Sequence, residues 1–170
     1  MRTRLGILTL VTIASVGLLG IGIDMGKAAS PGSSAGSAPA HAMVSPAELK
    51  WTPLFLGLET AVVHGDPAKA GEPFVMRVRA TRAAEVAAHW HPQDEHVTVL
   101  EGSIKLGMGE KYDAKGLQDI AAGSYVFIPR TMRHYVWHGP DSVIQVHGIG
   151  PFQLYFVNPA DDPRTAAPGK

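Results

Sequence analysis

From about residue 45 onward, apolar residues come in short runs, many alternating with polar ones, and turn residues interrupt the runs at close intervals. Phe74, Met76 and Val78 fall on one face of an extended segment and Arg77 and Arg79 on the other. That period of two is what a half-buried strand requires. The same pattern predicts strands at Thr60–Val63, Phe74–Arg79, His96–Glu101, Ile104–Gly107, Ser124–Ile128, His134–His138, Ser142–Gly148 and Gln153–Val157. Gly65-Asp66-Pro67, Gly102-Ser103, Pro129-Arg130 and Gly139-Pro140-Asp141 supply turns between them. Short strands at this spacing predict an all-β barrel or sandwich over residues 45–158. Ser45-Pro46-Ala47-Glu48 has the capping-box pattern with proline at the first helical position, which predicts one short helical turn before the strands. The polar stretch Met108–Asp119 predicts a loop, and residues 159–170 a polar C-terminal tail.

The pattern is different at the start. Arg2 and Arg4 precede a charge-free apolar run from Leu5 to Ile23, and a segment rich in Ala, Ser, Gly and Pro follows. This order predicts a secretory signal peptide over residues 1–29, with an uncleaved membrane anchor as the alternative, and a flexible linker over residues 30–44. Export to a periplasmic or extracellular compartment follows from that reading. Contact with a membrane is expected only if the leader stays on.

Composition narrows the class. A chain of 170 residues has room for one domain with a sizeable core beside such a leader. Lys plus Arg and Asp plus Glu number 15 each, and no block of like charge occurs. A nucleic-acid partner, which calls for a basic face, is therefore not expected. The chain has no cysteine, which rules out both a disulfide framework and a lipid-modified N-terminal cysteine. Histidine is the oddity, with seven of the 8 lying between His64 and His147.

His89-Trp90-His91-Pro92-Gln93-Asp94-Glu95 places three potential ligands close together. On an extended chain His89 and His91 share a face while Trp90 points the other way. Pro92-Gln93-Asp94 can turn, so that Glu95 enters the next strand on the face of Val97 and Val99. Two imidazoles and a carboxylate converging on one point make a chelating arrangement for a divalent ion. His96 is expected to point away, although a one-residue slip of the turn would exchange it with Glu95. His138 lies four residues after His134, on the same face of a strand, and is a candidate proton-moving group. His147 is a second such candidate, with its facing left open. Tyr125 with Phe127, and Tyr135 with Trp137, read as core or interface aromatics.

These segments resemble the paired motifs of the cupin superfamily. His89, His91, Glu95 and Gly102 stand in register with the first motif, and Gly123, Pro129 and His134 with the second. The sequence departs from the pattern at Ala83 and Thr131, where the motifs have glycine, and at His138, where asparagine is usual. The resemblance implies a small single-domain exported cupin, a double-stranded β-helix (jelly-roll) barrel. It also implies that His89, His91, Glu95 and His134 ligate one divalent transition metal. Three imidazoles and a carboxylate suit Fe, Mn, Ni, Cu or Zn without choosing among them. The function expected is that of a metal-dependent enzyme, dioxygenase- or decarboxylase-like, acting on a small oxygen-rich or aromatic molecule. The alternative is a non-catalytic module that binds a metal or small ligand. Cupins commonly pair, so a homodimer is also expected.

Overall fold

The structure, a computed structural model, describes residues 41–165. The expected signal peptide, most of the linker and the last five residues of the tail lie outside the described residues. The described strands are β1 (Thr52–Pro53), β2 (Leu58–His64), β3 (Pro73–Ala80), β4 (Ala84–Trp90), β5 (Glu95–Glu101), β6 (Ser103–Met108), β7 (Gln118–Ala121), β8 (Tyr125–Ile128), β9 (His134–His138), β10 (Val143–Ile149) and β11 (Tyr155–Phe156). They pair into two sheets, ordered β1-β2-β3-β10-β5-β8 and β11-β4-β9-β6-β7. Every pairing is antiparallel.

The two sheets face each other across one apolar core, to which Phe74, Val97 and Val146 come from the first and Val86, Ile104 and Val136 from the second. This is the all-β double-stranded β-helix that the sequence resemblance implies. Inward positions alternate as the pleat dictates: Val97 and Val99 on β5, Ile144 and Val146 on β10. At the β5–β6 hairpin Gly102 has φ 64°, and a Cβ there would stand 3.1 Å from the Cα of Ser142. The tight turn therefore takes glycine for two reasons at once.

Three expectations change in the structure. The helical turn predicted at Ser45 is only a three-residue 3-10 turn, Pro46–Glu48, in which the Ser45 backbone N–H donates to the Glu48 carboxylate at 2.7 Å. No α-helix forms among the described residues. The stretch expected to be a loop up to Asp119 ends instead in the edge strand β7, whose first two residues are polar and exposed and so carry no strand signature. The chain from Ala84 to Trp90, read from sequence only as extended near its histidines, is the full strand β4 between β11 and β9.

Strand β4 contains the irregularity that makes the site. Ala84 and Val86 face the core in register with His138 and Val136 of β9, but the register then shifts between Val86 and His89. Strict alternation from Ala84 and Val86 would have turned Ala88 inward and His89 out. The bulge adds one residue, so both Ala88 and His89 are buried and the phase of the strand reverses.

Candidate metal centre

Four buried polar side chains converge between the sheets. His89 closes the bulged end of β4, and His91 follows it on the same face. Glu95 opens β5, and His134 opens β9. Two contacts hold the loops that carry them. Thr131 donates its backbone N–H to the His91 carbonyl at 2.8 Å, and the Arg130 N–H donates to the Asp94 carboxylate at 2.8 Å. The turn 91–95 and the turn 129–133 are thus tied together, which brings the second histidine segment onto the first.

Each imidazole is fixed through its Nδ1. The partners are the carbonyls of Ala87 for His89 (2.8 Å), Gln153 for His91 (2.8 Å) and Met132 for His134 (3.1 Å). A carbonyl only accepts, so each Nδ1 carries the proton and each Nε2 presents a lone pair to the interior. Phe152 lies flat on His91, with ring centroids 4.4 Å apart and planes 13° from parallel. Ligand atoms of His89, His91 and His134 all lie within 4.8 Å of one another.

Glu95 Oε2 stands 3.5 Å from the Nε2 of both His91 and His134, is buried, and has no hydrogen-bond partner. These contacts are not ion pairs. Burial pushes His91 down to about 4, aided by neighbouring His134, and lowers His134; it holds His89 well below its ordinary value together with His134 and His91. Burial pushes Glu95 up to about 8. Ionised, Glu95 would face imidazole lone pairs with no proton between them, so without a cation the carboxyl keeps its proton, and a cation in the gap is what would stabilise the carboxylate there. The two Glu95 contacts come close to what one needs, since donors about 2.1 Å from a common ion stand roughly 3.0–3.4 Å apart in right-angled or tetrahedral geometry. The three histidine ligand atoms are gathered to within 4.8 Å without Glu95 among them. The donor set fits a divalent transition metal.

His138 is inward-facing on β9 and 4% exposed. It lines the same cavity as the cluster, and its Nδ1 has no partner. Burial pushes it down to about 4. The cavity measures about 100 Å³, and an outer recess of about 460 Å³ adjoins it, sharing Leu54, Phe55, Phe152 and Leu154.

His147 is corrected by the structure: it does not line this cavity. Because Ile144 and Val146 face the core, His147 lies on the outer face of the first sheet, stacked on His96 at 4.8 Å. The feared exchange of Glu95 and His96 does not occur. His96 points outward and bonds the Tyr125 hydroxyl through Nδ1 at 2.6 Å. Sequence reasoning missed Phe152 and the three orienting carbonyls. Backbone carbonyls leave no sequence signal, since every residue has one.

Thr131, at the motif position that usually carries glycine, has φ 65°. A β-branched residue there is strained by roughly 1–2 kcal/mol. Thr131→Gly is expected to raise stability by about 1 kcal/mol, the remainder being lost to glycine's greater freedom in the unfolded chain. A urea midpoint unchanged or lowered by the substitution would contradict the strain.

The sequence matches the family described as the ChrR cupin-like domain over residues 39–153. No protein of curated function matches the chain in sequence. Among solved structures it is similar to the polyketide cyclase RemF from Streptomyces resistomycificus, at 19% identity over 73% of this chain and 90% of that one, with a TM-score of 0.60. It is also similar to KdgF from Halomonas sp., at 18% identity over 65% of this chain and 96% of that one, TM-score 0.52. An acetylacetone dioxygenase from Acinetobacter johnsonii gives 16% identity over 75% of this chain and 83% of that one, TM-score 0.53. At these identities the likeness is one of fold. With the family match spanning most of the folded region, the chain belongs to the ChrR cupin-like family of the cupin superfamily.

Proposed function

We propose that the protein is a metal-dependent enzyme of the dioxygenase or decarboxylase type, acting on a small molecule in the exported compartment to which residues 1–29 direct it. One observation carries this reading: the buried, unpartnered Glu95 Oε2 held 3.5 Å from two deprotonated imidazole nitrogens. His89, His91 and His134 would hold the ion through Nε2, with Glu95 as the anionic fourth ligand. When bound, such an ion supplies Lewis acidity and, if redox-active, oxygen activation. The Nδ1 bonds to three backbone carbonyls keep the imidazoles in place and in the tautomer a metal needs. Phe152 covers the face of His91 and keeps water from it. His138, neutral and unpartnered at Nδ1, takes or returns a proton on a substrate lodged in the cavity. That cavity beside the cluster argues against a purely structural metal, which needs no space next to it.

The test is elemental analysis of the full-length protein purified without added metal, beside His91→Ala and His134→Ala. Near one transition-metal ion per chain is expected in the wild type and less than a tenth of that in each variant. Metal retained in both variants, or none in the wild type, would sink the assignment.

A further inference from the structure

The wall of the cavity is aliphatic almost throughout. Val86, Val97, Ile104, Leu106, Val136 and Ile144 face it, and its polar lining is confined to the four groups of the metal centre and His138. Every hydroxyl placed against such a wall gives up its water without finding a partner, which weakens binding. A sugar or polyol, with an oxygen on every carbon, would lose several of these at once. An apolar body loses none and gains from leaving water.

His138 breaks the pattern at a single point. Buried polar atoms are hydrogen-bonded as a rule, and an exception calls for an explanation. The unpartnered Ser142 Oγ is also fully buried but does not line the cavity, whereas the unpartnered His138 does. His134 and His138 sit on the same face of β9, four residues apart, so their α-carbons are about 13 Å from each other. The metal centre and His138 are therefore two separate polar points joined by an apolar wall. His138 is also held neutral by burial, so it suits an uncharged partner better than a carboxylate.

We propose that the site takes a compact, largely apolar molecule with an oxygen donor at the end that meets the metal centre and a hydroxyl or carbonyl at the end that meets His138. This rests on the metal reading given above and narrows its substrate class: the oxygen-rich alternative is disfavoured and the aromatic or alicyclic one retained. His138 acts as the specificity-determining contact for the far end of the ligand.

The test uses three probes on the full-length protein, with metal content measured on the same sample. Benzoate carries only the near oxygens, 4-hydroxybenzoate adds a far hydroxyl, and gluconate replaces the apolar body with a polyol. Calorimetric titration is expected to show 4-hydroxybenzoate binding about threefold to tenfold tighter than benzoate, the range of one net hydrogen bond, with no measurable binding of gluconate. In His138→Leu the benzoate affinity persists and the gap closes to within about twofold; in His138→Gln, which keeps a donor, part of the gap returns. A gap unchanged in His138→Leu, gluconate binding as tightly as 4-hydroxybenzoate, or no aromatic acid binding to a metal-loaded sample each overturns the inference. The two readings fail separately. A metal-loaded protein that does not discriminate through His138 defeats this inference alone, and a metal-free protein that does discriminate defeats only the metal assignment.

Discussion

Stripped of metal by a chelator, the Glu95→Gln variant is expected to be more stable than the wild type at pH 7 and above, and less stable than it once metal is restored. The carboxyl of Glu95 is pushed up from 4.5 to about 8 by complete burial. A group whose folded value is raised binds its proton more tightly in the folded state. Between pH 4.5 and 8 the unfolded chain releases that proton while the folded chain keeps it, so stability falls as pH rises through this window. The loss amounts to roughly 3 kcal/mol at pH 7 and roughly 5 kcal/mol above pH 8. Glutamine has nearly the same shape, carries no charge to bury, and can donate to the Nε2 atoms nearby. Metal reverses the order, because an ion binds the carboxylate and stabilises only the chain that has one. Urea unfolding of both proteins from pH 6 to 9, with chelator and with stoichiometric metal, checks the crossing. Curves that keep the same order in both conditions would show that Glu95 is not the buried anionic ligand.

Acid is expected to undo the metal-free fold between pH 6.5 and 4. Burial pushes His91 and His138 each down from 6.5 to about 4, and lowers His89 and His134 in the same direction. Below pH 6.5 the unfolded chain takes up protons that these buried rings refuse, so stability is lost as pH falls. Each of His91 and His138 contributes roughly 3 kcal/mol to that loss. Together they rival the whole stability of an ordinary domain, about 5–15 kcal/mol. Glu95 works in the opposite sense between pH 4.5 and 8, so the histidine effect is cleanest in the Glu95→Gln background. There the slope of stability against pH near 5 is expected to correspond to at least two protons, and His138→Leu to remove about one of them. A slope below one proton would mean that the rings are already charged or solvated in the folded state. In the metal-loaded protein the same protons compete for the Nε2 atoms, so metal is released over the same range.

What the sequence made legible, and what it hid, divides along physical lines. Glu95 facing in and His96 facing out follows from a period of two on a strand whose neighbours Val97 and Val99 are unambiguous. His138 sharing a face with His134 follows in the same way. His147 was not readable because Val143, Ile144 and Val146 are all apolar, so the strand has no clear phase, and its register shifts between Val143 and Ile144. The edge strand β7 was hidden because its exposed polar residues gain their structure from pairing with β6, a contact no local pattern records. The orienting carbonyls and the Phe152 stack belong to the same class, since they depend on segments far apart in sequence coming together.

The bulge in β4 turns the metal centre into a question of parity. Counting from Ala84, core residues occupy even positions up to Ala88, while the ligands His89 and His91 are odd. The change from even to odd is made by one extra residue at Ala87-Ala88, and the Ala87 carbonyl at that step is also the one that orients His89. Two chains can therefore carry the same His-x-His spacing on the same barrel and differ entirely in what it does. With the bulge between Val86 and His89 the pair opens inward toward Glu95 and His134; the same odd spacing on an unbulged strand would put the pair on the surface. Among proteins of this fold, a motif search alone will count both kinds as metal sites. The spacing from the last inward apolar residue to the first histidine tells them apart only when it is read together with the strand's register on its partner.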